Sequence, residues 1–200
     1  MKIPNFKVSS RSQNTIKNQT LKPEFADIDF DKSPFLVIWE ATQACQLACL
    51  HCRAEAKPFR DPRELTKREI FSLLDETRKF GRVLFVITGG DPLERPDIFE
   101  IIRYGTKIGL RMTMTPSGTP LLTEEVIIRL KDEGLARLAV SLDGYSRESH
   151  DSFRGVEGSY DWTMAAVQAC EKNVLEVQIN TTMTRFNQER LSDIADLLQG

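Results

Sequence analysis

Residues Cys45-Gln-Leu-Ala-Cys49-Leu-His-Cys52 place three thiols in eight positions, directly behind the apolar run Phe35-Leu-Val-Ile-Trp39. A loop that turns back on itself brings sulfurs three and four residues apart toward a common point, and thiolates in such loops hold iron–sulfur clusters. A cubane cluster has four irons, so three protein ligands leave one iron free for chemistry. The plainer readings account for less of the pattern. A structural zinc site is closed by four ligands, and His51, wedged between Leu50 and Cys52, is badly placed to join both flanking thiols on one ion. A disulfide framework belongs to small exported domains. This chain has four Cys in 200 residues, and Met1 to Ser10 do not resemble a secretory leader. Buried, inert thiols are common in cores, and the isolated Cys170 reads as one of those.

Outward from the thiols, short apolar runs alternate with helical patterns. Phe35 to Ala41, Val83 to Thr88, Leu110 to Thr115, Ala136 to Leu142 and Leu175 to Thr182 are strand candidates. Their near-continuous apolarity predicts strands covered on both faces. Thr66-Lys-Arg-Glu69 is a capping box opening the first helix, with Ile70, Leu73, Leu74 and Thr77 on one face and Gly81 as its stop. Pro96 opens the second helix, which ends by Gly109. Thr123 opens the third, which ends at Gly134. A fourth is expected from about Tyr160 to Lys172, and a fifth, capped by Asn187, from about Gln188 to Gln199. Five strand-then-helix units predict a parallel sheet with right-handed crossovers. Ligands of such sheets gather on the loops after the strands' C-terminal ends. The three thiols fall there, as do Gly89-Gly-Asp-Pro92, Thr115-Pro-Ser-Gly-Thr119, Ser141 to Asp143, and Asn180-Thr-Thr182.

Composition sets the outer bounds. Forty per cent hydrophobic and 28% charged residues are ordinary for a globular domain. A net charge of −2 lacks the basic footprint of a nucleic-acid binder, and no apolar run reaches the ~18 residues that span a bilayer. Neither nucleic acid nor membrane is therefore an expected partner, and reduced thiols without an export signal predict a cytoplasmic protein. Residues 1–32 are polar, with one aliphatic residue between Ser9 and Thr20, and read as a mobile extension ahead of an organised unit from Ser33 to Gly200.

CxxxCxxC after the first strand, GGDP after the second and SLDG after the fourth resemble the radical S-adenosylmethionine (radical SAM) superfamily over roughly residues 35–200. His150-Asp-Ser-Phe-Arg-Gly155 is similar to the HDxxRG loop of one branch. That branch holds the molybdenum-cofactor cyclisation enzymes, heme-pathway enzymes and peptide maturases with SPASM auxiliary-cluster domains. The resemblance implies an α/β fold, a partial (β/α)6 barrel, with Cys45, Cys49 and Cys52 binding a 4Fe-4S cluster. It also implies reductive cleavage of SAM to a 5′-deoxyadenosyl radical that removes hydrogen from a substrate. A flavodoxin- or ferredoxin-type electron donor and a small-molecule or peptide substrate are the partners it implies.

Further site residues follow from the same resemblance. Gly89 and Gly90 would let backbone carbonyls approach the methionine end of SAM without side-chain obstruction, with Pro92 fixing the turn. Asp91 stands where the family often has Glu. Ser141 and Asp143 would serve SAM at the rim, and His51 fills an aromatic position by the adenine. Arg154 would pair with a carboxylate, and Asn180 would lie near ribose or adenine. A different class, a non-catalytic iron–sulfur module for electron transfer or sensing, would use the same thiols but has no need of the Gly89 to Pro92 and Ser141 to Asp143 loops on one rim. Five units stand against the resembled family's six, and a cysteine-rich C-terminal domain is absent. The reading is thus of an incomplete barrel, truncated after its fifth unit, with strand five as an uncovered edge.

Overall fold

The computed structural model describes residues 29–198. The polar extension read at residues 1–32 lies outside the described residues except for its last four, where Asp29 accepts from the amides of Lys32 and Ser33 in a turn. Five strands, β1 Leu36–Glu40, β2 Leu84–Thr88, β3 Arg111–Met114, β4 Arg137–Ser141 and β5 Val177–Asn180, form one sheet in sequential order. Every neighbouring pair is parallel. Six α-helices connect or follow them: α1 Lys67–Lys79, α2 Ile98–Lys107, α3 Glu124–Asp132, α4 Arg147–Arg154, α5 Ser159–Lys172 and α6 Leu191–Leu197.

The expected punctuation governs the first three helices. Glu69 accepts from the Thr66 amide while the Thr66 hydroxyl accepts from the Glu69 amide, which satisfies two orphan donors of α1. Thr123 caps α3 by accepting from Val126. Gly81, Gly109 and Gly134 follow the helix ends with positive φ. The buried faces are the apolar ones that the periodicity marks: Ile70 and Leu74 of α1, Ile98, Ile101 and Ile102 of α2, Ile127 and Leu130 of α3. Each such side chain stabilises the fold by roughly 1.5–3 kcal/mol through burial.

Residues paired across a parallel sheet share a face. Trp39, Ile87, Met114 and Leu138 form one row, and Val37, Phe85 and Met112 another, all packed with the helices in the core. The opposite face carries Ile38, Val86, Thr113 and Arg137, and here the expectation of strands covered on both sides fails. Ile38 is 59% exposed while Thr113 and Ala139 are 7% exposed, so among the described residues this face is covered only in part. At the C-terminal end of this open face stand Glu40 beside Thr88 and Ser141 beside Asn180.

Two further expectations are corrected. The His150 to Gly155 stretch is not a loop but the second half of α4, opened by Ser146 and Ser149 in a reciprocal cap and closed by left-handed Gly155. Its concealed face is polar, made of His150 and Arg154 with Phe153, so no apolar periodicity announces it. The last helix begins at Leu191 after a 3₁₀ turn over Gln188–Arg190, and Asn187 does not cap it. Its amide instead donates to the carbonyls of Asp143 and Thr182. No helix among the described residues is long and apolar enough to cross a membrane.

Candidate active site

The loop after β1 is shaped mostly by main-chain bonds. Cys45 donates its amide to the Lys57 carbonyl (2.9 Å), and Lys57 returns its own to Gln43 (2.9 Å), closing the base of the loop. The Ala48 amide donates to the Arg154 carbonyl (3.2 Å) and the Leu50 amide to that of Phe153 (3.0 Å), so the C-terminus of α4 holds the loop's outer limb. Orphan carbonyls of a helix end are thereby satisfied. Behind the loop, Arg95 is fully buried and donates to the carbonyls of Ala41 (3.2 Å) and Leu65 (3.1 Å), with Asp97 accepting from the same guanidinium (2.8 Å). Thr42 donates to Glu64 (2.5 Å) and accepts from the Ala44 amide (3.0 Å). The exit of β1 is thus fixed just before the first thiol.

Cys45, Cys49 and Cys52 border one cavity of about 370 Å³, together with Gly89, Gly90, His51, Ser141, Arg154 and Ser117. Burial pushes the Cys49 thiol up from its ordinary value; the Arg154 charge opposes this, while Cys45 and Cys52 add to it. The amides of Leu47 and Ala56 point at the sulfurs of Cys45 and Cys52, each at 3.4 Å. Such bonds favour the anionic sulfur and tune a bound cluster. Among the described residues, no three His, Cys, Asp or Glu side chains are grouped as a binding site for one metal ion. The thiols instead stand along the wall of a cavity of about 370 Å³, room for a polynuclear group that they would hold. His51 borders the same space and carries a buried Nδ1 with no partner. The donor set and the room fit an iron–sulfur cluster with a ligand beside it.

Gly89 and Gly90 are required by the packing of β2 on the thiol loop, a reason separate from the expected one. A Cβ on Gly90 would stand 2.3 Å from the Ala44 carbonyl oxygen, and one on Gly89, at φ +137°, 2.5 Å from that of Thr42. The amides of Gly90 and Asp91 donate to those two oxygens, Thr42 at 2.6 Å and Ala44 at 2.7 Å respectively. The glycines therefore let the end of β2 lie flush on the thiol loop, and both also border the cavity.

The remaining expected residues divide. His51 stacks on Phe153, with ring centroids 4.4 Å apart and planes 15° from parallel. Burial pushes its pKa down, which keeps the ring neutral near pH 7. Arg154 reaches the cavity while bonded to the Ser117 carbonyl (2.8 Å) and, at 3.3 Å, to the Asp143 carboxylate. Ser141 also borders the cavity. Asp91, Pro92, Asp143 and Asn180 do not. Asp91 is fully buried, accepting from Thr119 (2.6 Å) and from the amides of Leu93 (3.1 Å) and Ser117. Burial raises its pKa and these donors oppose the rise. Pro92, also buried, opens the following 3₁₀ turn. Asp143 accepts from Arg154 and from the Thr182 amide (2.7 Å), and its own amide donates to His150 Nδ1 (3.2 Å). Asn180 lies on the open face and accepts from Gln178 (2.7 Å).

Several cavity residues were given no role by the sequence reading, although two of them, Ser117 and Thr182, lie on loops it placed at the rim. Glu40 and Arg53 form an ion pair at its edge, and Ser117 and Thr182 complete the wall. All lie at or just after the C-terminal ends of strands, or just after the thiols, which is the signal that marks them.

A sequence model described as Radical SAM superfamily matches residues 39–198. An AdoMet-dependent heme synthase of Methanosarcina barkeri is 40% identical over 170 residues, covering 85% of this chain and 48% of that protein. The mycofactocin maturase MftC of Mycobacterium tuberculosis is 34% identical over 166 residues, covering 82% and 42%. The chain thus spans less than half the length of these curated relatives. Among solved structures, native anSMEcpe with bound AdoMet superposes with a TM-score of 0.67 at 18% identity, covering 80% of this chain and 47% of that one. Streptococcus suis SuiB bound to precursor peptide SuiA gives 0.69 at 17%, covering 82% and 36%. With its five parallel strands and its thiol loop at their C-terminal rim, the chain belongs to the radical SAM superfamily.

Proposed function

We propose that Cys45, Cys49 and Cys52 hold a 4Fe-4S cluster and that S-adenosylmethionine occupies the adjoining cavity, where an electron delivered from a flavodoxin- or ferredoxin-type protein starts the reaction. The observation that carries this reading is the meeting of three thiols with the Gly89-Gly90 end of β2 on one cavity of about 370 Å³. When bound, the reduced cluster supplies the electron that splits S-adenosylmethionine into methionine and a 5′-deoxyadenosyl radical, which takes a hydrogen atom from substrate.

The chain's own residues bind and orient. The Gly90 carbonyl and the Arg154 guanidinium offer an acceptor for an ammonium and a donor for a carboxylate on one wall. The neutral His51 ring, braced by Phe153, offers a flat surface for a purine. The Leu47 and Ala56 amides stabilise charge on two of the three sulfurs. For the substrate, the reading favours a compound of heme synthesis. Relatives named heme synthases reach 40–42% identity over the same region in which the peptide maturase reaches 34%.

The test is anaerobic: reconstitute the protein with iron and sulfide, add dithionite and S-adenosylmethionine, and follow 5′-deoxyadenosine by chromatography. Its formation, faster with an iron porphyrin precursor than with a peptide, is expected. A fully reconstituted protein that forms none would overturn the assignment in favour of a passive electron-transfer module.

A further inference from the structure

Ser117 occupies a position to which no role has been given. Its hydroxyl lies 3.3 Å from the sulfur of Cys45 and 2.5 Å from the carbonyl oxygen of Gly90, so it stands between a proposed cluster ligand and a proposed acceptor for S-adenosylmethionine. In the structure the thiol donates to the hydroxyl oxygen and the hydroxyl donates to the carbonyl. A serine has one hydroxyl proton to give. A sulfur bound to iron has none and can only accept, so the single proton of Ser117 then has two acceptors, the Cys45 sulfur and the Gly90 oxygen.

The loop around Ser117 does not depend on that hydroxyl. Its amide is held by Asp91, its carbonyl by Arg154 at 2.8 Å, and Thr119 two residues on is tied to Asp91 at 2.6 Å. The hydroxyl is free to turn on a fixed backbone.

We infer that Ser117 is a positioning residue that couples occupancy of the ligand cavity to the charge on the cluster sulfur, by moving its one hydrogen bond from the Gly90 carbonyl to Cys45. A cationic amino group on the Gly90 oxygen makes that oxygen a poorer acceptor for a second donor. The serine proton then turns to the sulfur, where a donor stabilises the more negative, reduced state and raises the reduction potential. Coupling between sites is reciprocal, so the reduced protein binds S-adenosylmethionine more tightly than the oxidised one by the same factor. The inference rests on the reading of the three thiols and the Gly90 carbonyl given above.

Potentiometric titration followed by EPR, with and without S-adenosylmethionine, tests it in the reconstituted protein, Ser117→Ala and Ser117→Thr. Calorimetry alongside gives the affinity of the oxidised and reduced forms. In Ser117→Ala, the ratio of reduced to oxidised affinity is expected to fall by about fivefold, at the low end of site-to-site couplings. The midpoint shift caused by the ligand should move to more negative values, while iron content stays at the wild-type level. Ser117→Thr, which keeps a hydroxyl, should restore both. Equal shifts in wild type and Ser117→Ala would overturn the inference and leave the site reading intact. A wild-type protein with neither a cluster signal nor a response to S-adenosylmethionine would instead remove the site reading beneath it.

Discussion

The thiol loop and the corner after β4 sit on the same rim, yet they are held in opposite ways. The loop from Gln43 to Lys57 is anchored by main-chain bonds to Lys57, Phe153, Arg154 and the end of β2, and its cysteine side chains keep an open cavity in front of them. The corner is anchored by buried side chains: Asp143, His150, Arg154 and Asn187 bond to one another or to nearby backbone, and each oxygen of the buried Asp143 carboxylate accepts from the protein. Where a polar side chain is consumed by the protein it builds the frame. Where the backbone carries the load, side chains are left over for chemistry. Arg154 belongs to both regions, since its carbonyl holds the loop and its guanidinium reaches Asp143 in the corner.

The contrast is broken most severely at the seam with β2. A valine at position 90 would drive its Cβ to 2.3 Å from the Ala44 carbonyl, a backbone atom that cannot step aside. Gly90→Val should therefore displace the thiol loop, lose most bound iron, and destabilise the protein by about 3 kcal/mol or more, the upper range of overpacking costs. Iron analysis together with urea unfolding checks this. Full iron content with weakened S-adenosylmethionine binding would show that the glycine faces the ligand, as the sequence suggested, and not the loop.

On the corner side, Arg154→Ala leaves the Asp143 carboxylate buried with its charge partner gone. Removing one member of a buried pair costs about 3–5 kcal/mol. The 3.3 Å separation puts the expectation at about 3 kcal/mol in urea unfolding. A loss under about 1 kcal/mol would mean that Asp143 is satisfied by the Thr182 amide alone.

A pH-dependent effect comes from His150, fully buried with its pKa pushed down to about 4 by burial and then by the Arg154 charge. The unfolded chain takes up this proton near pH 6.5 and the folded one only near 4, so between those values the unfolded state binds more protons. Stability should be flat above about pH 6.5 and fall as the pH drops toward 4, by up to about 1.4 kcal/mol per unit. His150→Gln should flatten that stretch of the profile. An unchanged slope would assign the acid sensitivity to other groups.

How much of this was legible in the chain follows from which forces were at work. Strands and apolar helix faces showed themselves because burial writes a period into the sequence, and the capping box at Thr66 and the glycine stops wrote the boundaries. Helix α4 did not, because what it buries is His150 and Arg154 beside a single Phe153. Its Ser146 and Ser149 reciprocal cap was present but lacked the usual Glu or Gln at the third position. Spacing was enough to find the thiols and the glycine pair. Spacing alone does not tell whether Asp91 and Asp143 point at a ligand or inward, since that depends on Thr119, Thr182 and Arg154, which lie 28, 39 and 11 residues away in the chain. The Ser117 loop was placed on the rim, but the role of its hydroxyl was hidden for the same reason, its partners being 72 and 27 residues away.

Three thiols, and not the fourth, are proposed to carry a cluster open to S-adenosylmethionine. Iron content and the EPR spectrum of the dithionite-reduced protein, recorded with and without S-adenosylmethionine, test it in wild type, in each of Cys45→Ala, Cys49→Ala and Cys52→Ala, and in Cys170→Ala. Cys170 is buried in the core with its thiol pushed up to about 11 by burial, far from reactive. About four irons per chain and a signal altered by S-adenosylmethionine are expected in wild type and Cys170→Ala, with both lost in the other three. Undiminished iron in all three loop variants, or a wild-type signal indifferent to S-adenosylmethionine, would contradict it.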